Sequence, residues 1–139
     1  LLVHKKFHFE GGHLIPGHPA CGTAHGHSFT VEVTVDGPLR ENGIVIDFKE
    51  LKNALKEFID TKLDHCFLND TVSPMPTAEV LSLVLFDELE NYLERNCHSI
   101  FTYSVTVWET QSNAATCFRS DWELYRQRIP RPEGGRESE

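Results

Sequence analysis

From Ser28 to Asp36 the chain alternates, with Phe29, Val31, Val33 and Val35 separated by polar residues. A period of two is the pattern of a strand with one buried face, so this chain is committed to a sheet. The run is opened by His25-Gly-His27. Residues i and i+2 of a strand point to the same face, with Cα atoms roughly 6.6 Å apart. Two imidazoles held that way can converge on one metal ion at about 2.0–2.1 Å each. Upstream stands Cys21, in a Gly/Pro/His loop with no apolar pattern to bury it.

The remaining elements arrange themselves around that strand. Val3 to Leu14 reads as a first strand with mixed alternation, and Asp36-Gly37-Pro38 is a turn signal that ends the second. Asp47 with Glu50 three later resembles a capping box. The helix it opens carries an inner stripe of Leu51, Leu55, Phe58 and Ile59 and is expected to fray near Asp60 to Lys62. Thr77 caps a second helix running to about Arg95, with Leu81, Val84, Leu85, Leu89 and Tyr92 at helical spacing. Ile100 to Glu109 reads as a third strand, with Phe101, Tyr103, Val105 and Val107 on one face, and Ala115 to Leu124 as a fourth. The order ββααββ predicts an α+β fold: a four-stranded antiparallel sheet with two helices on one face. Its two open edges invite self-association.

A chain of 139 residues is long enough for one domain with a proper core. We expect that domain over residues 1–129. The Pro/Gly/Arg/Glu tail, residues 130–139, has nothing to pack and is expected to be disordered. Thirteen basic against 21 acidic residues give a net charge of −8, which argues against a general nucleic-acid or membrane-surface binder. A small anionic substrate is still open, since it needs only a local positive site such as a metal. No apolar run approaches the roughly 20 residues of a membrane span, and no signal-peptide pattern opens the sequence. Four cysteines in that setting do not read as a disulfide framework. Cys66, Cys97 and Cys117 read as small core hydrophobes in a reducing, cytoplasmic setting.

His25 and His27 need a third ligand, and His13 is placed to supply it. It ends the first strand, which can pair antiparallel with the start of the second. Three histidines leave the fourth tetrahedral position open, as a catalytic zinc site requires. Cys21 is then a base or nucleophile whose pKa a neighbouring cation can lower; as a fourth, structural ligand it would instead close the site. Asp64 beside His65 can orient the imidazole and stabilise its charged form, making a proton relay with Cys21. Glu109 falls at the end of the third strand, where a carboxylate can accept two N–H bonds from a planar amidine-like edge.

Together these residues resemble a family. Phe9-Glu-x-x-His13, Cys21-x-x-x-His25-Gly-His27, Gly43-Ile-Val-Ile-Asp47-Phe48, Leu63-Asp64-His65 with Leu68-Asn69, Pro76-Thr-Ala-Glu79 and Trp108-Glu109-Thr110 stand in family order from Phe9 to about Phe118. The pattern is similar to the 6-pyruvoyltetrahydropterin synthase superfamily, and within it to the queuosine-pathway 6-carboxytetrahydropterin synthase branch. The three-residue gap between Cys21 and His25 (Gly22, Thr23, Ala24) selects that branch, since pyruvoyl-forming members usually have a longer one. The resemblance implies a tunnelling fold whose protomers join sheets into an oligomeric barrel, a cytoplasmic homohexamer built as a dimer of trimers. It implies zinc on His13, His25 and His27, Cys21 as base, and Asp64 and His65 contributed by a neighbouring subunit. Glu109 would anchor the pterin ring. The implied reaction is lyase chemistry on 7,8-dihydroneopterin triphosphate. The runner-up readings are the pyruvoyl synthase and a non-catalytic pterin- or zinc-binding protein. Val80 departs from the Asn common after Pro-Thr-Ala-Glu, and the stretch from Trp122 to Ile129 has no counterpart role.

Overall fold

The computed structural model describes residues 1–18, 22–72 and 75–129. Cys21 and the tail from Pro130 lie outside the described residues. Strands β1 (Leu2–His13) and β2 (His25–Asp36) pair antiparallel without interruption, from Leu2 opposite Asp36 to His13 opposite His25. Helix α1 (Phe48–Phe58) follows, then a π-helical turn at Ile59–Leu63, strand β3 (Cys66–Phe67) and the single turn α2 (Leu68–Thr71). The long helix α3 (Ala78–Asn96) leads into β4 (Phe101–Trp108), β5 (Ala114–Phe118) and the terminal helix α4 (Arg119–Tyr125). The sheet order is β3-β1-β2-β4-β5.

One face of the sheet is buried under α1 and α3. Phe29, Val31, Val33 and Val35 of β2 are fully buried against Leu51 and Leu55 of α1 and Leu81, Leu85 and Leu89 of α3. Each such side chain contributes about 1.5–3 kcal/mol relative to remaining in water. The helix starts are fixed locally. Asp47 accepts from the Lys49 N–H at 2.8 Å and Thr77 from the Val80 N–H at 3.1 Å. No reciprocal capping box forms at α1, because Glu50 turns away and accepts from the Cys97 thiol at 3.3 Å.

Four further expectations are corrected. The sheet has five strands and is mixed, not four-stranded and antiparallel: Cys66 and Phe67 pair parallel with Gly11 and Gly12, covering part of the β1 edge. Edge N–H and C=O groups take a partner where one is in reach, and a Cβ on Gly11 would sit 3.1 Å from Leu68 Cδ1, so the glycine admits this close approach. Helix α1 does not fray at Asp60 to Lys62; it widens into the π-turn, closed by the Asp64 N–H on the Ile59 carbonyl at 2.7 Å. In β4 the expected face is broken by a bulge. Thr34 lies opposite Ser104 but Val35 opposite Thr102, so Tyr103 is the extra residue. Phe101 and Tyr103 are therefore exposed, and Thr102 is buried, its N–H donating to Glu90 Oε1 at 3.0 Å.

The strand expected as the fourth is β5, which stops at Phe118, and the chain becomes helical where the sequence predicts a strand to Leu124. Asp121 accepts from the Phe118 N–H at 2.9 Å, capping α4. Trp122 is buried against Phe86 with ring centroids 5.4 Å apart, and its indole N–H donates to Asp87 Oδ1 at 3.0 Å. Arg119 pairs with Glu90 at 2.7 Å beside it. This anchoring predicts that Trp122→Ala destabilises the fold by about 3–5 kcal/mol, read as a lower urea midpoint with an unchanged slope. A loss under about 1 kcal/mol would mean that α4 does not hold the sheet.

Candidate metal centre

The β1–β2 register decides the site. His13 and His25 are directly opposed partners, and His27 is two residues further along β2. Alternation puts all three on the helix-facing side, over the stacked rings of Phe9 and Phe29 (centroids 4.8 Å apart). The three imidazoles meet edge to face, with centroids 4.6–5.1 Å apart. One ligand atom from each lies within 4.8 Å of the others, close enough to hold a metal ion.

Backbone carbonyls fix the ring tautomers. His13 Nδ1 lies 2.9 Å from the Pro76 carbonyl oxygen and His25 Nδ1 2.7 Å from that of Thr23. A carbonyl only accepts, so each Nδ1 carries the hydrogen and each Nε2 turns a lone pair inward. The Nε2 atoms of His13, His25 and His27 are all buried without a hydrogen-bond partner. A buried acceptor left unsatisfied costs about 1–3 kcal/mol, and three side by side make a donor set that could hold a metal ion. Burial pushes the His27 pKa down, and His13 and His25 reinforce this while Glu109 opposes it. The neutral ring, which is the ligating form, is thereby favoured. The residues fit the zinc that the sequence predicts.

Glu109, immediately after β4, brings its Oε1 to 3.2 Å from His13 Nε2 and 3.7 Å from His27 Nε2. The turn that carries it is held by the Glu109 N–H on the Asn113 carbonyl (3.0 Å), and by Thr110 Oγ1 accepting from the Asn113 N–H (3.1 Å). Glu109 also borders a cavity of about 440 Å³, lined by His18, Thr77, Glu79, Asn113 and Ala115 among others, within the range of small-molecule sites.

Asp64 and His65 form the expected pair, Asp64 Oδ2 to His65 Nδ1 at 3.0 Å. Glu10 grips both: its N–H donates to Asp64 Oδ1 at 2.9 Å, and its carbonyl accepts from the His65 N–H at 2.6 Å. The Glu10 N–H is the main reason the Asp64 carboxyl is held below its ordinary pKa; partial desolvation opposes it and His65 adds to it. His65 adopts a left-handed backbone (φ 57°) and its side chain is 79% exposed. The Glu10 side chain, hydrogen-bonded to Ser28 Oγ, points away from the helix-facing side that holds the histidines. The dyad therefore lies at the β1 edge, and its hydrogen bonds do not run to the histidines of its own chain.

Cys117 and Cys97 are pushed up to about 12 and about 11, in both cases chiefly by burial; both are protonated thiols, not nucleophiles. Sequence reasoning missed three groups that build the centre. The Pro76 and Thr23 carbonyls have no side-chain signature. Asn69 donates to the Leu14 carbonyl and accepts from the Leu14 N–H, both at 2.8 Å, and so fixes the backbone next to His13. Its only sequence signal was membership of the Leu68-Asn69 motif.

Comparison with known proteins agrees with this construction. The family model for 6-pyruvoyl tetrahydropterin synthase matches residues 2–120. The chain is 36% identical to 6-carboxy-5,6,7,8-tetrahydropterin synthase of Synechocystis sp., over 84% of this chain and 92% of that one. It is 35% identical to 6-pyruvoyl tetrahydrobiopterin synthase of Dictyostelium discoideum, over 81% and 82%. The structure of Caenorhabditis elegans 6-pyruvoyl tetrahydropterin synthase superposes with a TM-score of 0.73 at 23% identity, covering 85% of this chain and 94% of that one. The likeness gives the fold, the tunnelling fold. With a family match over most of its length and relatives above 30% identity across four-fifths of it, the chain belongs to the 6-pyruvoyl tetrahydropterin synthase family.

Proposed function

We propose that this chain is a zinc-dependent 6-carboxytetrahydropterin synthase. It would convert 7,8-dihydroneopterin triphosphate and water to 6-carboxy-5,6,7,8-tetrahydropterin, acetaldehyde and triphosphate, for queuosine or a related deazapurine. The observation that carries the reading is the convergence of three unpartnered Nε2 atoms beside Glu109 and a ligand-sized cavity. The three-residue gap before His25 supports this branch over the pyruvoyl synthase.

His13, His25 and His27 hold the zinc, which supplies a Lewis acid for the substrate's side-chain hydroxyls. Glu109 accepts two N–H bonds from the amidine-like edge of the pterin and so orients the ring. Cys21 moves the side-chain proton as general base, a role worth roughly 10²–10⁴-fold. Asp64 keeps His65 in the tautomer that relays this proton. Oxidation of the side chain balances reduction of the ring, so the reaction needs no redox cofactor.

The dyad's place at a sheet edge, with the His65 side chain exposed and hydrogen-bonded to Asp64 rather than to its own triad, supports sites shared between neighbouring subunits. We take the assembly to be a cytoplasmic homohexamer, a dimer of trimers. The exposed rings of Phe101, Tyr103 and Phe118 on the open sheet face support burial against further copies. Among the described residues no helix is long and apolar enough to cross a membrane.

Three experiments test the reading. Metal analysis of the purified protein should give one zinc per chain; His25→Ala should lose it, and Cys21→Ala should keep it while losing turnover. Equal metal loss in Cys21→Ala makes the sulfur a ligand and removes the base. Mixing Cys21→Ala with His65→Ala subunits should restore part of the activity, because some mixed interfaces hold an intact relay; no recovery after demonstrated subunit exchange refutes shared sites. Incubation with dihydroneopterin triphosphate should release acetaldehyde, trapped as a hydrazone, with a carboxylated tetrahydropterin. A pyruvoyl product without acetaldehyde assigns the chain to the other branch, and no turnover makes it a binding protein.

A further inference from the structure

We propose that Glu109 is a two-position carboxylate: it closes the fourth side of the histidine triad when no ring is bound, and the arriving pterin draws it off. The inference rests on the proposed zinc site and ring contact and adds a coupling between them. In a tetrahedral site with bonds of about 2.0–2.1 Å, neighbouring ligand atoms are about 3.3–3.4 Å apart. Glu109 Oε1 stands 3.2 Å from His13 Nε2 and 3.7 Å from His27 Nε2. It thus stands at ligand spacing from two of the three nitrogens, on the side that a fourth ligand would take.

The position is built into the turn. Glu109 N–H to Asn113 carbonyl, with Thr110 Oγ1 accepting from both Ser112 N–H and Asn113 N–H, fixes the backbone from which the carboxylate reaches the triad. Yet the same side chain borders the cavity alongside Thr77, Glu79 and Asn113. Gripping a planar edge with two parallel N–H bonds takes both carboxylate oxygens. The amidine-like edge lies at the opposite end of the ring from the carbon that bears the side chain. A ring seated with that carbon toward the triad therefore holds the edge, and the carboxylate on it, away from the triad, and the two contacts exclude one another. Ring recognition and opening of the fourth position become a single event. A molecule without the amidine-like edge leaves the centre capped, and this restrains unspecific metal-centred chemistry at an otherwise open site.

Such coupling is reciprocal: whatever draws Glu109 to the ring must strengthen the binding of an added ligand at the fourth position. The test replaces zinc by Co²⁺ and titrates azide, following the visible absorption bands, with and without 2-amino-4-oxopteridine, which lacks a side chain to reach the metal. In the unmodified protein, azide should bind at least about tenfold more tightly when the pteridine is present. Without the pteridine, Glu109→Gln and Glu109→Asp should each bind azide at least about tenfold more tightly than the unmodified protein, since the first has lost the charge and the second the reach. Azide affinity indifferent to the pteridine, or unchanged in both variants, overturns the proposal. Failure of the underlying site reads differently: Co²⁺ bands that do not form, or that survive His25→Ala, show that the triad does not hold the metal.

Discussion

The uninterrupted pairing of β1 with β2 is the constraint on which the structure rests. Twelve residues of each strand are paired, and the last pair is His13 with His25. A slip of one residue would turn every side chain of β2 to the opposite face. Phe29, Val31, Val33 and Val35 would leave the core, and His25 and His27 would leave His13. Core burial and the histidine triad are thus fixed by one register. The apolar half of β2 enforces the geometry that the histidine half uses, and the stacked pair Phe9–Phe29 lies where the two halves meet.

Much of this was legible because the information is local and repeated. The period of two in β2, the helical stripes and the Asp47 and Thr77 caps each depend on residues close in sequence, and each appears in the structure. His13 was reachable through one step of strand pairing. What stayed hidden depends on long-range contact. The two residues of β3 carry no period, and their pairing follows from the reach of the chain past Gly11. The bulge at Tyr103 hides in a run that alternates smoothly, and becomes necessary only when Thr102 is seen bonded to Glu90. Trp122 gave the apolar signal of a strand, and it is Asp121 and Asp87 that make the segment a docked helix.

The same division runs through the site. Side-chain ligands announce themselves by type and spacing; the carbonyls of Pro76 and Thr23 that orient them do not. Second-contact groups of this kind set tautomer and basicity at metal centres, and here they come from two loops that sequence reading treats only as connections. Asp64 and His65 were identified as a pair, but their direction follows from the grip of Glu10 on both residues. Held by backbone groups at the β1 edge, with the imidazole exposed, the dyad is placed where a neighbouring subunit of the proposed assembly can reach it.

X-ray absorption at the zinc edge of the purified protein tests the central claim most directly, because it reports the atoms around the metal without relying on turnover. The account predicts a first shell of nitrogen and oxygen only, at about 2.0–2.1 Å with the outer-shell pattern of three imidazoles. A sulfur scatterer at about 2.3 Å would place Cys21 on the metal, close the site, and contradict the account.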